Sequence, residues 1–180
     1  DLTEDGFVGR FVAGDMRYML AAVPFEQDLA YYRDVGRGVT LQWLDLHPEQ
    51  ARSLADALAV NALPGNREYA YDYFTDNCST RVRDALDAAL GGQLRRQLDD
   101  PDAAGSNTWR SESVRLASPA PWMWLGFDLG MGPRVDVPLT PWQEAFVPMR
   151  LADSLRQLRL EDGRPLVREE IELLPHRIAP

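Results

Sequence analysis

Lysine is absent from this 180-residue chain, in which all 19 basic residues are arginine. Lysine Schiff-base and serine–lysine chemistry are therefore excluded from its own residues. Cysteine occurs once, at Cys78, so no disulfide can form within the chain. Histidine occurs only as His47 and His176. Two histidines and one cysteine scattered in this way make no zinc pattern, and neither a metal nor a cofactor is expected. Long apolar runs are missing too. The longest nearly apolar stretch, "PAPWMWLGFDLGMG", is broken by Asp128, prolines and glycines and is too short to span a bilayer. Positive charge is also in deficit. The formal net charge is −9, which repels phosphate backbones, excludes nucleic acid as an expected partner and gives no electrostatic pull toward anionic lipid.

With 45% apolar residues the chain can build one globular domain with a substantial core. It opens on "DLTEDGF", with neither Met nor a signal peptide, so the expectation is a processed exported protein or a piece of a longer one. In "DMRYMLAAV" the period-two placement of Met16, Tyr18, Leu20 and Ala22 predicts a strand, and "PFEQDLAYYRD" a short helix. "RGVTLQWLDL" alternates again, with Val39, Leu41 and Trp43 on one side. From His47 the pattern turns helical, with Pro48 in the first turn and an apolar stripe of Ala51, Leu54, Ala55, Leu58 and Ala62. "REYAYDYF" reads as a strand with Tyr69, Tyr71 and Tyr73 on one aromatic face. The next helix starts between Asp76 and Ser79, carries Val82, Ala85, Leu86, Ala89 and Leu90 as its stripe, and stops at Gly91 and Gly92. "DDPDAAGSN" reads as a loop, "TWRSESVRL" as a short helix and "TPWQ" as a capping box that opens a helix interrupted near Pro148. A tight hairpin turn is expected around Asp162 and Gly163. "PWMWLGFDLGMG" reads either as core or, through Trp122 and Trp124, as a lipid-contacting surface.

The chemistry concentrates at "YDYFTDNCST". The first turn of a helix supplies positive potential through unpaired amides and the macrodipole, which favours thiolate over thiol at Cys78. The same amides can cradle an oxyanion forming on an attacked carbonyl. Free cysteine is also among the most buried residue types, so an inert core thiol stays open. Asn77 reads either as a side-chain donor to that oxyanion or as a turn residue. Tyr71 and Tyr73 would line the floor near the sulfur, or form the buried sheet face with Tyr69. Arg81 adds positive potential, Asp84 partly cancels it, and the two stand three apart on the helix, where they can pair. A nucleophilic cysteine needs a base. His47 is the one fallback within reach of the argument, and its place just before Pro48 also suits a helix cap.

Taken together, "GRGVTLQWLDLHPEQ", "NREYAYDYFTDNCSTRVRDAL", "TWRSESV", "WLGFDLGMGPRVD", "TPWQEAFVPMRL" and "DGRPLV" resemble the N-terminal periplasmic domain of the Lnb-type lipoprotein N-acyltransferases, from about Phe7 to Val167. The core of the resemblance is Asn-Arg-x-Tyr-x-Tyr followed by Asp-Asn-Cys-x-Thr-Arg-x-Arg-Asp. It implies an α+β, permuted papain-like (NlpC-like) fold, with an antiparallel sheet packed with helices and the nucleophile at a helix N-terminus. It assigns the nucleophile to Cys78, with Asn77, Tyr71, Tyr73, Thr80, Arg81 and Asp84 around it. It expects the catalytic histidine upstream of Asp1, so residues 1–180 are read as a single such domain lacking its N-terminal segment. His47 stands where the family usually has Thr or Ser. The implied setting is the periplasm or cell envelope of a Gram-negative bacterium, with peripheral or tethered proximity to a membrane. Three functions remain open: thioester acyl transfer from a phospholipid or lipoprotein, hydrolysis of a peptidoglycan peptide by the same machinery, and a non-catalytic envelope interaction module.

Overall fold

The computed structural model describes residues 17–118 and 120–177. Within them the chain is α+β, with eight α-helices and four strands. The N-terminal half runs β1 (Arg17–Met19), α1 (Phe25–Asp34), β2 (Val39–Leu44), α2 (Pro48–Asn61) and β3 (Glu68–Ala70). The second half runs α3 (Cys78–Ala89), α4 (Gln93–Leu98), α5 (Trp109–Ala117), α6 (Pro121–Gly130), α7 (Pro141–Glu144), α8 (Pro148–Gln157) and β4 (Val167–Leu174). Met16, which the alternation assigned to the first strand, lies outside the described residues, as does the start of the family resemblance at Phe7.

In place of one antiparallel sheet, the described strands form two separate antiparallel pairs, β1 with β3 and β2 with β4. Tyr18 faces Tyr69 in the first and Leu41 faces Ile171 in the second. The second pair joins segments far apart in sequence, and β4 carries no strong alternation of its own, which is why it escapes a local reading. Register irregularities at Val39/Thr40 and Trp43/Leu44 re-aim β2. As a result Trp43 is exposed, while Leu44 packs on the core and Gln42 donates to the carbonyl of Ala152 at 3.1 Å and to Glu170 at 2.8 Å. Val39, Leu41 and Trp43, placed on one side by the alternation, therefore do not share one environment, Val39 and Leu41 being half-buried and Trp43 exposed.

The core lies in the second half. Leu86 of α3 and Leu90 just after it, Leu94 and Leu98 of α4, Trp142 and Ala145, Leu151 and Leu155 of α8, and Leu158 and Leu166 form one buried cluster. A smaller one joins Leu139, Phe146 and Val147 to Tyr73, Phe74 and Trp109. The α3 stripe is therefore only partly a core stripe. Leu86 and Leu90 are buried, whereas Val82 is exposed. On α2 the predicted stripe buries nothing fully, and of its members only Leu54 packs against the core. Gly91 and Gly92, at φ 63° and 80°, end α3 in the left-handed region that glycine enters without steric cost. Gly163, at φ 85°, closes the expected turn, with its N–H donating to the Leu160 carbonyl at 2.8 Å. The Thr140 capping box is present, its hydroxyl accepting from the Gln143 N–H at 3.3 Å.

One ion cluster ties α5 to α8. Glu112, 1% exposed, accepts from Arg150 at 2.7 Å and from Arg115. Burial works against its charge, but the guanidinium hydrogen bonds of Arg115 and Arg150 outweigh that and hold its carboxyl below the usual glutamate value. A depressed carboxyl stabilises the fold above the unfolded pKa, near 4.5, and that contribution is lost as pH falls through the depressed native value. Glu112→Gln is expected to cost about 2 kcal/mol in urea unfolding at neutral pH, because Arg115 and Arg150 lose a charged acceptor while both stay partly exposed to water. The gap between wild type and variant should narrow as the pH is lowered past the ordinary glutamate range.

A capped cysteine helix beside a cleft

The site is built from a turn. Asp72 accepts from the N–H of Phe74 at 2.9 Å and of Thr75 at 2.7 Å, and its backbone pairs with Asp76 in both directions, at 3.0 and 3.2 Å. Burial opposes the Asp72 charge, but hydrogen bonds from the Thr75 backbone and hydroxyl and from the Phe74 backbone prevail and hold its carboxyl below the usual value. This Asx turn stops β3 at Ala70, so the three tyrosines do not share one sheet face. Tyr69 and Tyr71 gather with Tyr18, the Tyr18 and Tyr71 rings stacking at 4.2 Å. Tyr73 goes the other way, into the cluster of Phe74, Phe127 and Phe146. Tyr73 is thereby placed away from the cleft onto which Cys78 opens.

The turn delivers Asn77 as the cap of α3. Its Oδ1 accepts from the N–H of Ser79 at 2.8 Å and of Thr80 at 2.9 Å. Its Nδ2 donates to the carbonyls of Tyr73 at 2.9 Å and Phe146 at 3.0 Å. Both amide protons are thus committed to backbone carbonyls, one buried and one half-buried, so the side chain is not free to donate to an oxyanion. Its backbone, at φ −120°, is ordinary extended chain rather than a strained turn. Thr80, fully buried, completes the capping box by accepting from the Asn77 N–H at 2.8 Å. Ser79 fixes the same turn to the core by donating to the Ala145 carbonyl at 2.7 Å.

Between these buried residues Cys78, the first residue of α3, is exposed. Among the described residues its own backbone N–H has no acceptor. The thiol opens on a cleft of about 590 Å³ whose apolar walls include Leu20, Leu58 and Val82, with Asn61, Tyr69 and Arg81 as polar lining. Arg81 clamps Asp76 through two bonds, at 2.7 and 2.9 Å, and lies over the Tyr69 ring at 3.8 Å. Asp84 pairs instead with Arg83 at 2.7 Å. The expected Arg81–Asp84 pair is not formed, because Asp76 meets both arms of the Arg81 fork. Burial first, and then the neighbouring Cys78, raise the phenols of Tyr69 and Tyr71 above their ordinary value. Both therefore stay protonated at neutral pH.

No histidine lines this cleft. His47 is exposed at the start of α2, its N–H donating to Gln50 Oε1 at 2.9 Å. Leu58 stands eleven residues further along α2, so the helix carries His47 roughly 16 Å from the cleft wall. His176 follows β4 and is tied to the start of β2, its Nδ1 accepting from the Gly38 N–H at 3.4 Å. Sequence reasoning missed Leu20, Leu58 and Tyr18. Their alternation and helical spacing gave them elements, but nothing local told which elements would meet. A second cleft of about 490 Å³ flanks α3 on its other side, walled by Arg83, Arg95, Trp109 and Trp142.

An α+β domain that presents a lone exposed cysteine on a capped helix beside an open cleft is the class that fold and site define. Residues 3–114 match the model of the Lnb N-terminal periplasmic domain, and the chain belongs to that family. It is therefore a periplasmic, envelope-associated bacterial domain. No curated protein and no solved structure matches it. No helix among the described residues is long and apolar enough to cross a membrane.

Asn77→Ala is expected to lower stability by about 2 kcal/mol in chemical unfolding, since it removes the cap and strands the buried Phe146 carbonyl. Asn77→Asp keeps the cap oxygen but sets a carboxylate oxygen against the Tyr73 and Phe146 carbonyls in a buried site, and should be at least as destabilising as alanine at neutral pH.

Proposed function

We propose that this domain is a cysteine-dependent acyltransferase or hydrolase of the cell envelope, acting through a thioester on Cys78. The observation that carries the reading is the exposure of this one sulfur at the head of α3, between three buried residues that fix it, on a cleft with apolar walls. In the proposed reaction the sulfur attacks an ester or amide carbonyl, and the thiol proton passes to a base. The oxyanion is held by the N–H of Cys78 itself, in the role that Asn77 cannot fill. Collapse of the tetrahedral intermediate breaks the ester or amide bond and returns the proton to the leaving alcohol or amine. The acyl group remains as a thioester, which an acceptor amine or water then attacks to regenerate the thiol.

The donor is read as a phospholipid or lipoprotein, and the acceptor as a lipoprotein N-terminal amine. The apolar cleft walls suit an acyl chain. The base is read as a histidine contributed from upstream of Asp1, with a permuted papain-like (NlpC-like) arrangement of the elements. Tyr71, beside the sulfur, and Arg81, which orients Tyr69 and Asp76, are read as positioning residues. Thr80 acts through the cap, and Asp84 shapes the cleft wall. One observation favours a second reading, a non-catalytic interaction module: no histidine is among the residues that line the cleft.

Incubation of the protein carrying the segment upstream of Asp1 with a diacyl phospholipid, followed by intact mass measurement, is expected to show an acyl adduct that Cys78→Ala abolishes. In that same protein iodoacetamide should label Cys78 near neutral pH faster than it labels free glutathione. Cleavage of muropeptides without a lipid adduct would move the substrate to peptidoglycan. Slow labelling with neither product would leave the interaction module.

A further inference from the structure

We infer that the outer face of α6 docks on a lipid bilayer surface, independently of what Cys78 does. Trp122, Leu125 and Leu129 recur at spacings of three and four and so share one side of the helix. They are 75%, 46% and 76% exposed, and Val137, just beyond, is also exposed. The opposite side holds Met123, Trp124 and Phe127, all half-buried, with Phe127 stacked on Tyr73 at 6.0 Å. A helix apolar on both sides needs an apolar environment on both.

Charge points to the same occupant. Between Leu116 and Pro133 the one ionisable residue is Asp128, and it faces Arg110 at 3.9 Å. Arg110 also donates to the backbone carbonyls of Asp128 and Met131 and pairs with Asp136 at 2.7 Å, tying the end of α6 to the start of α5. On α5, Arg115 pairs with Glu112. The flanks are thus close to charge-balanced, which suits a zwitterionic interface and gives no hold on a polyanion. The patch is too small for a stable dimer, which uses roughly 20–30 residues a side. Neither cleft flanking α3 is lined by Trp122, Leu125 or Leu129, so the patch is no part of those small-molecule-sized hollows. Tryptophan is enriched at the boundary between headgroups and acyl chains, and binding there grows with the apolar area that a surface helix buries.

The placement bears on the site. Tyr73 stacks on Phe127, and its carbonyl accepts from Asn77. The docked face therefore lies one aromatic layer from the cap that holds Cys78.

The test is sedimentation of the protein with vesicles of phosphatidylcholine and phosphatidylethanolamine, read together with tryptophan emission. Wild type should partition to the lipid with a blue shift, and rising salt should not release it. The double variant W122S/L129S should bind roughly tenfold more weakly or less. Because both side chains are exposed, it should keep its circular dichroism. W43S, which removes an exposed tryptophan on β2, and C78A should bind as wild type does, which separates this inference from the proposed reaction. Wild type that stays in the supernatant, or a double variant that binds equally well, overturns the inference. So does a concentration-dependent dimer that W122S/L129S returns to monomer, since the face would then be covered by a second copy.

Discussion

Each hydrogen-bonding atom of the Asn77 side chain has a partner: two amides of α3 on the oxygen, and the carbonyls of Tyr73 and Phe146 on the nitrogen. These four bonds join the turn before α3, the helix itself and the segment after α7. Three of the partners lie within four residues of Asn77, while Phe146 is 69 residues away. The cap is thus also a tertiary clamp. Without it the helix start would have to find solvent for its free amides, and the buried Phe146 carbonyl would lose its partner.

That clamp makes a rigid base beneath an exposed sulfur. Asn77, Ser79 and Thr80 are buried around Cys78, and each is fixed by hydrogen bonds to backbone. One turn along, Arg83 is buried over the Trp142 ring at 3.9 Å and donates to the Trp142 carbonyl at 2.9 Å. It packs the middle of α3 against the same C-terminal segments that the cap grips. Cleft and core are consequently two faces of one helix. Leu86 and Leu90 hold it to the core, and Val82 and Ala85 are left to line the cleft.

The α3 helix was legible because its signals are local. A short polar residue before the helix, an apolar repeat and a Gly-Gly stop each act over a few residues. The same holds for the Thr140 box and the Gly163 turn. The tyrosine alternation misled, because a single carboxylate, Asp72, captures two backbone amides and turns the chain before the strand can continue. Helix α6 was not legible as a helix. Its composition admits either core or surface, and only its packing on α5 decides which side is left exposed.

Residue identity and short spacing alone establish the start and end of α3, the absence of lysine chemistry and of a disulfide within these residues, and the family. Tertiary structure alone decided that Arg81 pairs with Asp76 rather than Asp84, that the Asn77 amide is fully engaged, and that β2 pairs with β4 across most of the chain. Each of those choices is a competition between partners distant in sequence. It is settled by which groups reach hydrogen-bonding distance once the core has closed, and no local pattern records that.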